Sequence, residues 1–331
     1  MQTVRVFFMA LVAWNILTHP MEPVPPVYKQ VYAASDHAVK DLCFISPHFF
    51  GVATYQNASS EVNVFDTKSK KSRLTFACHG EINGLSQCEN YYKIALAIAG
   101  TIVIVDSQTG QKIKTYKAHP QQINSVHAHP ASVHTFVSGS SDKAIKVWDI
   151  RSPIVAQTYS GHDDAVTCVR VAGNETYMAS GAKDNTVKIW DWRKPNSLHV
   201  IKYLAPKAMA YSADGSKFVA SAHYALRYDA LTAALLATYN RKGKQEPSRG
   251  SKIEATSSLI YACACTGEKD QELIALGTDE GKMVLFNPDN PKVVPITLDV
   301  FQNRLDMLAF CPNANCLVAG SSIDHKWQVY E

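Results

Sequence analysis

Apolar and polar residues alternate over short runs through most of this chain, and turn-forming residues separate the runs. The pattern is sharpest in the middle. Val166-Thr-Cys-Val-Arg-Val171 is one β-rich run, Tyr177-Met-Ala-Ser180 is a second, and Val187-Lys-Ile-Trp190 alternates strictly. A period of two is what a half-buried strand needs, because successive side chains point to opposite faces. Between the second and third runs, Lys183-Asp-Asn-Thr186 is a turn, with Asp and Asn able to bond their own backbone. The same order of elements is written twice. One copy reads Phe136-Val-Ser-Gly-Ser-Ser-Asp142-Lys-Ala-Ile-Lys-Val-Trp148-Asp149-Ile-Arg151. The other reads Met178-Ala-Ser-Gly-Ala-Lys-Asp184-Asn-Thr-Val-Lys-Ile-Trp190-Asp191-Trp-Arg193.

Each copy follows a histidine, with His119 lying 29 residues before Trp148 and His162 lying 28 before Trp190. A period near 42, with His at one end and Trp-Asp at the other, resembles the WD40 repeat, in which each copy is one four-stranded propeller blade. The resemblance implies a hydrogen-bond chain inside each blade, running through a loop histidine, a hydroxyl on the second strand, the turn aspartate and the tryptophan. The matching residues are His119, Ser138, Asp142 and Trp148 in the first copy and His162, Ser180, Asp184 and Trp190 in the second. His, Ser and Asp together also invite a hydrolase reading. That reading is set aside here, because the set recurs at blade spacing and no Gly-x-Ser-x-Gly elbow accompanies it. Closed networks of this kind satisfy buried polar groups.

Two repeats cannot bury their own faces, so more are expected. Third strands ending in an aromatic or apolar residue plus an acid or amide occur at Phe65-Asp66, Val105-Asp106, Trp148-Asp149, Trp190-Asp191, Tyr228-Asp229, Phe286-Asn287 and Tyr330-Glu331. Their gaps are 40, 43, 42, 38, 58 and 44 residues, which predicts an all-β, seven-bladed propeller over 26–331. The long gap holds Asn240 to Lys252, a polar, turn-rich stretch expected as an exposed insert at 240–252. Blade seven keeps Ser321 and Asp324 but lacks the rest of the pattern. The run Val27-Tyr-Lys-Gln-Val-Tyr32 reads as its outer strand, so that the N-terminus would close the ring and remove a sheet edge.

Residues 1–25 form an extension, apolar from Val6 to Leu17 and then rich in proline, with four between Pro20 and Pro26. The apolar run is shorter than the roughly 20 residues a bilayer span needs. It has no small-x-small cleavage site behind it, so a secretory leader is not favoured. A segment docked on the propeller, or an extension upstream of a start at Met21, are the other readings.

Composition changes this picture little. Hydrophobic residues make up 46% and charged residues 19%, as in a globular chain with a substantial core. A net charge of +4 is too mild to imply nucleic acid. The 8 cysteines make no zinc spacing, and most sit in apolar runs, which points to a reducing, intracellular setting in cytoplasm or nucleus. His127 and His129 share a strand face but have no third ligand, so no metal is expected. No phosphate loop or paired-carboxylate motif is present, and no cofactor is expected.

The resemblance therefore implies a non-catalytic protein–protein scaffold, a subunit or adaptor of a multiprotein complex. The loop residues Ser141, Lys183 and Ile323, just before the turn aspartates, point to one rim in the family and are candidate partner contacts. Both complete copies end Trp-Asp-x-Arg, at Arg151 and Arg193. Such boxes resemble those of substrate receptors of cullin-4 ubiquitin ligases, where the Arg touches the adaptor propeller. That is an alternative reading, because a planar guanidinium suits an interface. Arg after Trp-Asp is equally at home as a solvated hairpin charge. Lys68, Lys70, Lys71 and Arg73, with Lys242, Lys244 and Arg249, form a basic group that reads as solvated turns. Direct nucleic-acid contact is not expected, and an RNA-processing subunit is kept as a further alternative.

Overall fold

In a computed structural model the described residues are 37–69, 71–88, 92–130, 132–173, 177–202, 204–239, 259–266, 272–289, 295–311 and 316–330, with backbone alone at 29–33 and 245–246. The extension at 1–25 and most of the 240–252 insert lie outside them.

The described residues form seven antiparallel sheets, six with four strands and one with five. The third strand of every blade ends where the sequence placed it. These strands are Ser59–Asp66, Thr101–Asp106, Ile145–Asp149, Thr186–Asp191, Ala225–Asp229, Lys282–Phe286 and Lys326–Tyr330. The innermost strands form the hub: Ala38–Ser46, Ile82–Cys88, Ile123–Ala128, Val166–Val171, Ala208–Tyr211, Ile260–Thr266 and Met307–Phe310. Each touches the next, and Met307–Phe310 returns to Ala38–Ser46, so the ring is closed at the hub. In the seventh blade, Lys29–Ala33 pairs antiparallel with Lys326–Tyr330, from Lys29↔Tyr330 to Ala33↔Lys326. In the fifth blade, Gln245–Glu246 adds two residues of pairing outside Leu235–Tyr239.

Packing explains the composition of the second strands. Thr135–Ser140 and Tyr177–Ala182 are buried at every position but the first, because a neighbouring blade covers each face. Small residues are required where the next blade comes close. A Cβ at Gly139 would lie 2.7 Å from Val166 Cγ1, and one at Gly320 would lie 2.9 Å from Leu42 Cδ2. The Ser-Gly step of the repeat is thus a spacing device between blades, not a turn. Seven apolar clusters fill the seven gaps between adjacent blades. The gap between the last and first blades is aromatic, with Trp327 at 4.5 Å from Phe65 and 5.3 Å from Phe50 between ring centres. All eight cysteines are free thiols, and none is exposed.

Candidate functional site

The turns between second and third strands set up the polar networks. In the third and fourth blades the residue after the turn aspartate adopts the left-handed conformation, at Lys143 (φ 73°) and Asn185 (φ 60°). The aspartate stabilises that turn by accepting a backbone N–H two residues on, from Ala144 at 3.0 Å and Thr186 at 2.9 Å. Its other oxygen then faces the loop histidine. Asp142 Oδ2 lies 2.8 Å from His119 Nδ1, and Asp184 Oδ2 lies 2.7 Å from His162 Nδ1. The histidine Nε2 atoms reach Ser138 Oγ at 2.8 Å and Ser180 Oγ at 2.7 Å. Trp148 and Trp190 donate their indole N–H to the same hydroxyls at 2.9 Å and 2.8 Å.

Both serines are completely buried, so their oxygens are reachable from no surface. Burial lowers the pKa of both histidines, and the facing aspartates oppose it only partly. The rings are therefore held neutral, which fits a donor on one nitrogen and an acceptor on the other. Sealed hydroxyls of this kind tie a loop, a turn and two strands together.

The seventh blade solves the same problem differently. Asp324 precedes a left-handed residue, His325 (φ 54°), but no histidine among the described residues bonds it. Its carboxylate accepts instead from Gln302 N at 2.9 Å, Asn303 N at 3.0 Å and Asn303 Nδ2 at 2.5 Å, all from the loop that precedes the blade.

Strand direction divides the candidate contact residues between two rims. Hairpins between second and third strands lie at one end of the barrel of blades, and hairpins between third and fourth strands at the other. Ser141, Lys183 and Ile323 are on the first rim; Arg151 and Arg193 are on the opposite one. Ile323 is 51% exposed, and Lys183 is exposed. Ser141 is half-buried and accepts a hydrogen bond from Asn124 Nδ2 at 3.0 Å.

The two Trp-Asp-x-Arg boxes are alike in sequence and different in structure. Arg151 closes a fork on Asp149, with Nε at 2.9 Å from Oδ1 and Nη2 at 2.6 Å from Oδ2. Its hydrogen bonds hold the Asp149 carboxyl down at about 2. Arg193 is exposed, and among the described residues only its backbone N–H bonds Asp191, at 2.9 Å. Trp192, between them, packs its ring 5.0 Å from His129, and its carbonyl accepts the Tyr159 hydroxyl at 3.0 Å.

The remaining candidates are also placed. His127 Nδ1 accepts from Val171 N at 3.4 Å and His129 Nδ1 from Ser132 N at 3.1 Å, so each ring serves the backbone. Among the described residues no three of His, Cys, Asp and Glu gather as metal ligands. Lys68, Lys71 and Arg73 are exposed, with Arg73 lying 4.7 Å over the Phe49 ring. Lys70, Lys242, Lys244 and Arg249 lie outside the described residues. No helix among the described residues is long and apolar enough to cross a membrane.

Sequence reasoning passed over the central channel, about 570 Å³ of space lined by the innermost strands. The signal was present as charges inside apolar runs, Asp41 in the first hub strand and Arg170 in the fourth. Asp41 accepts from Leu42 N at 2.8 Å and from Leu85 N of the next blade at 2.6 Å. Burial raises its pKa to about 6, against the opposing effect of those bonds and of Arg170. A second polar feature joins blades five and six. Arg227 is buried on the fifth blade's third strand, bonds Glu272, and reaches Asp289 Oδ1 at 3.0 Å.

Seven blades in a closed ring, two of them pinned by a buried His–Ser–Asp–Trp relay, define a repeat-built β-propeller. Residues 110–149 and 154–191 match the WD domain, G-beta repeat. The chain is a seven-bladed β-propeller that carries WD40 repeats. It is 28% identical over 123 residues to U3 small nucleolar RNA-associated protein 15 of Schizosaccharomyces pombe, covering 37% of this chain and 24% of the relative. It is 46% identical over 57 residues to a ribosome biogenesis protein WDR12 homolog of Ixodes scapularis, covering 17% and 13%. With Striatin-4 of Mus musculus the identity is 28% over 183 residues, covering 51% and 24%. The chain thus spans about a quarter or less of the length of these curated relatives.

Proposed function

We propose that this propeller is a non-catalytic binding platform, an intracellular subunit or adaptor of a multiprotein complex. The observation that carries this reading is the sealing of both His–Ser–Asp sets. Their hydroxyls are completely buried and bonded to indole N–H groups, so the residues that look most like chemistry hold each blade together from within. What the fold offers to solvent is two rims of hairpins on a rigid ring, and such loops carry recognition. Ser141, Lys183 and Ile323 would contact a partner on one rim, with Arg193 as the corresponding residue on the other.

An RNA-processing complex in the nucleus is a finer assignment with support from two relatives, named for the U3 small nucleolar RNA and for ribosome biogenesis. The cullin-4 adaptor reading rests on Arg193 more than on Arg151, whose fork is occupied by Asp149.

Affinity purification of the full chain from its own cells, followed by mass spectrometry, tests these readings together. Wild type is compared with an Arg151→Ala/Arg193→Ala double variant. The scaffold reading expects a stable, stoichiometric set of partners. Recovery of ribosome-assembly proteins by both forms supports the nuclear assignment. A cullin adaptor recovered by wild type and lost in the double variant supports the ligase reading instead. A chain that copurifies with nothing overturns the platform.

A further inference from the structure

One level of the channel carries hydrogen-bond donors from three consecutive blades. Register fixes that level. Ser86 pairs with Ala95, His127 with Val137, and Arg170 with Ala179, each two positions beyond the Cα partner of a small second-strand residue, Ala97, Gly139 or Gly181. Ser86, His127 and Arg170 are therefore equivalent positions of the second, third and fourth hub strands, and all three line the channel. On the far side, the same level carries Cys43, Ala264 and Ala309, which are small and leave room opposite the guanidinium.

Arg170 is oriented from one end only. Its Nη1 donates to Val169 O at 2.8 Å and to Ser125 Oγ at 3.3 Å. Among the described residues no carboxylate lies within ion-pair distance, and Nε and Nη2 have no protein acceptor. Its field nevertheless reaches residues of several blades. It lowers the pKa of Asp41 in blade one, His127 in blade three and Cys263 in blade six, each of which burial shifts more strongly. The group therefore sits where those walls converge.

Its neighbours are prepared as donors. Ser86 Oγ already accepts Ala128 N at 2.8 Å, which leaves its O–H to give. His127 Nδ1 accepts from Val171 N, and burial with the Arg170 charge holds the ring neutral, its pKa near 3. Its proton is then on Nε2. The carboxylate of Asp41 stands one level away, with both oxygens engaged by backbone N–H groups.

We propose that this level of the channel is a binding site for a compact oxyanion, a phosphate or carboxylate group, held by the free edge of Arg170 with Ser86 and His127 as further donors. A guanidinium fixed at one end and open at the other is pre-organised for such a group. The anion is either a free ion or the acidic side chain of a partner reaching into the hub. The site does not depend on the platform reading, since purification of partners and binding of a small anion succeed or fail separately.

The test uses the purified full chain and calorimetric titration at constant ionic strength with two probes, inorganic phosphate and the capped peptide acetyl-Gly-Glu-Gly-amide. Variants are Arg170→Gln, Arg170→Lys and, outside the channel, Arg73→Gln. Binding of either probe is expected, weakened about tenfold or more by Arg170→Gln and unchanged by Arg73→Gln. Arg170→Lys, which keeps the charge and loses the fork, should weaken binding by several-fold and stands in if Arg170→Gln does not fold. Preference for phosphate marks a free anion, and preference for the peptide marks a partner's carboxylate. Binding of neither probe by wild type overturns the site, as does equal affinity in the Arg170 variants.

Discussion

Replacing Ser180 by alanine isolates the relay from the rest of the propeller. The side chain is completely buried, and its oxygen is shared by His162 Nε2 at 2.7 Å and Trp190 N–H at 2.8 Å. The substitution removes one atom and strands two polar groups, because His162 and Trp190 are only 5% and 1% exposed. Each buried group left without a partner costs about 1–3 kcal/mol, so the loss should be about 3 kcal/mol in all. For a chain of this size that lowers Tm by about 5 °C. Thermal unfolding followed by circular dichroism measures it, with Lys183→Ala, an exposed side chain in the adjacent turn, as a reference expected within about 0.5 kcal/mol of wild type. Trp190→Phe should partly relieve the serine variant, since it removes one stranded donor. A cycle through both changes should give a coupling of about 1–2 kcal/mol. A Ser180→Ala protein that melts with wild type, or a cycle with no coupling, would refute the claim that this relay holds the blade.

Gly181→Ala puts a Cβ against the Pro206 ring, 2.9 Å from Cδ and closer to Cγ, and should cost roughly 2 kcal/mol in urea unfolding while leaving strand content unchanged by circular dichroism. Arg227→Ala leaves the Glu272 carboxylate buried without its cation and should cost about 4 kcal/mol by the same assay, whereas Arg227→Met/Glu272→Leu should recover most of it. Acid should destabilise the protein through His127, whose folded pKa near 3 is far below the 6.5 of an ordinary imidazole. Between those values the unfolded chain binds the extra proton, so stability is full above pH 6.5 and falls as pH drops towards 3. Tm measured from pH 7 to pH 4 should fall less steeply in His127→Asn, which keeps an acceptor for Val171 N.

The blades were legible because their signal is local. A period of two over five or six residues, an Asp-led turn and a Trp-Asp ending need no knowledge of the rest of the chain, and they located the third strand of each blade, including those that lack the tryptophan. The buried relays were legible for the same reason, since histidine, serine, aspartate and tryptophan recur at a fixed spacing within one blade. The Ser-Gly step was visible too, but its cause was not. Gly139 is small because Val166 of the next blade stands against it, and that neighbour is supplied by ring closure.

Tertiary structure alone decided what each charge does. Arg151 and Arg193 end identical motifs, yet one is forked on its own aspartate and the other is exposed, a difference set by side-chain geometry in two hairpins. Strand direction placed both arginines on the rim opposite Ser141, Lys183 and Ile323. Arg227 finds Glu272 and Asp289 only because blades five and six pack side by side, 45 and 62 residues apart in sequence. Arg170 and Asp41 are charges within apolar strands, and ring closure turns that face towards a shared axis. The elements and their count follow from local pattern and turn chemistry, which act over a few residues. Closure of the ring determined the channel, the rims and the charge partners, because those depend on which distant strands become neighbours.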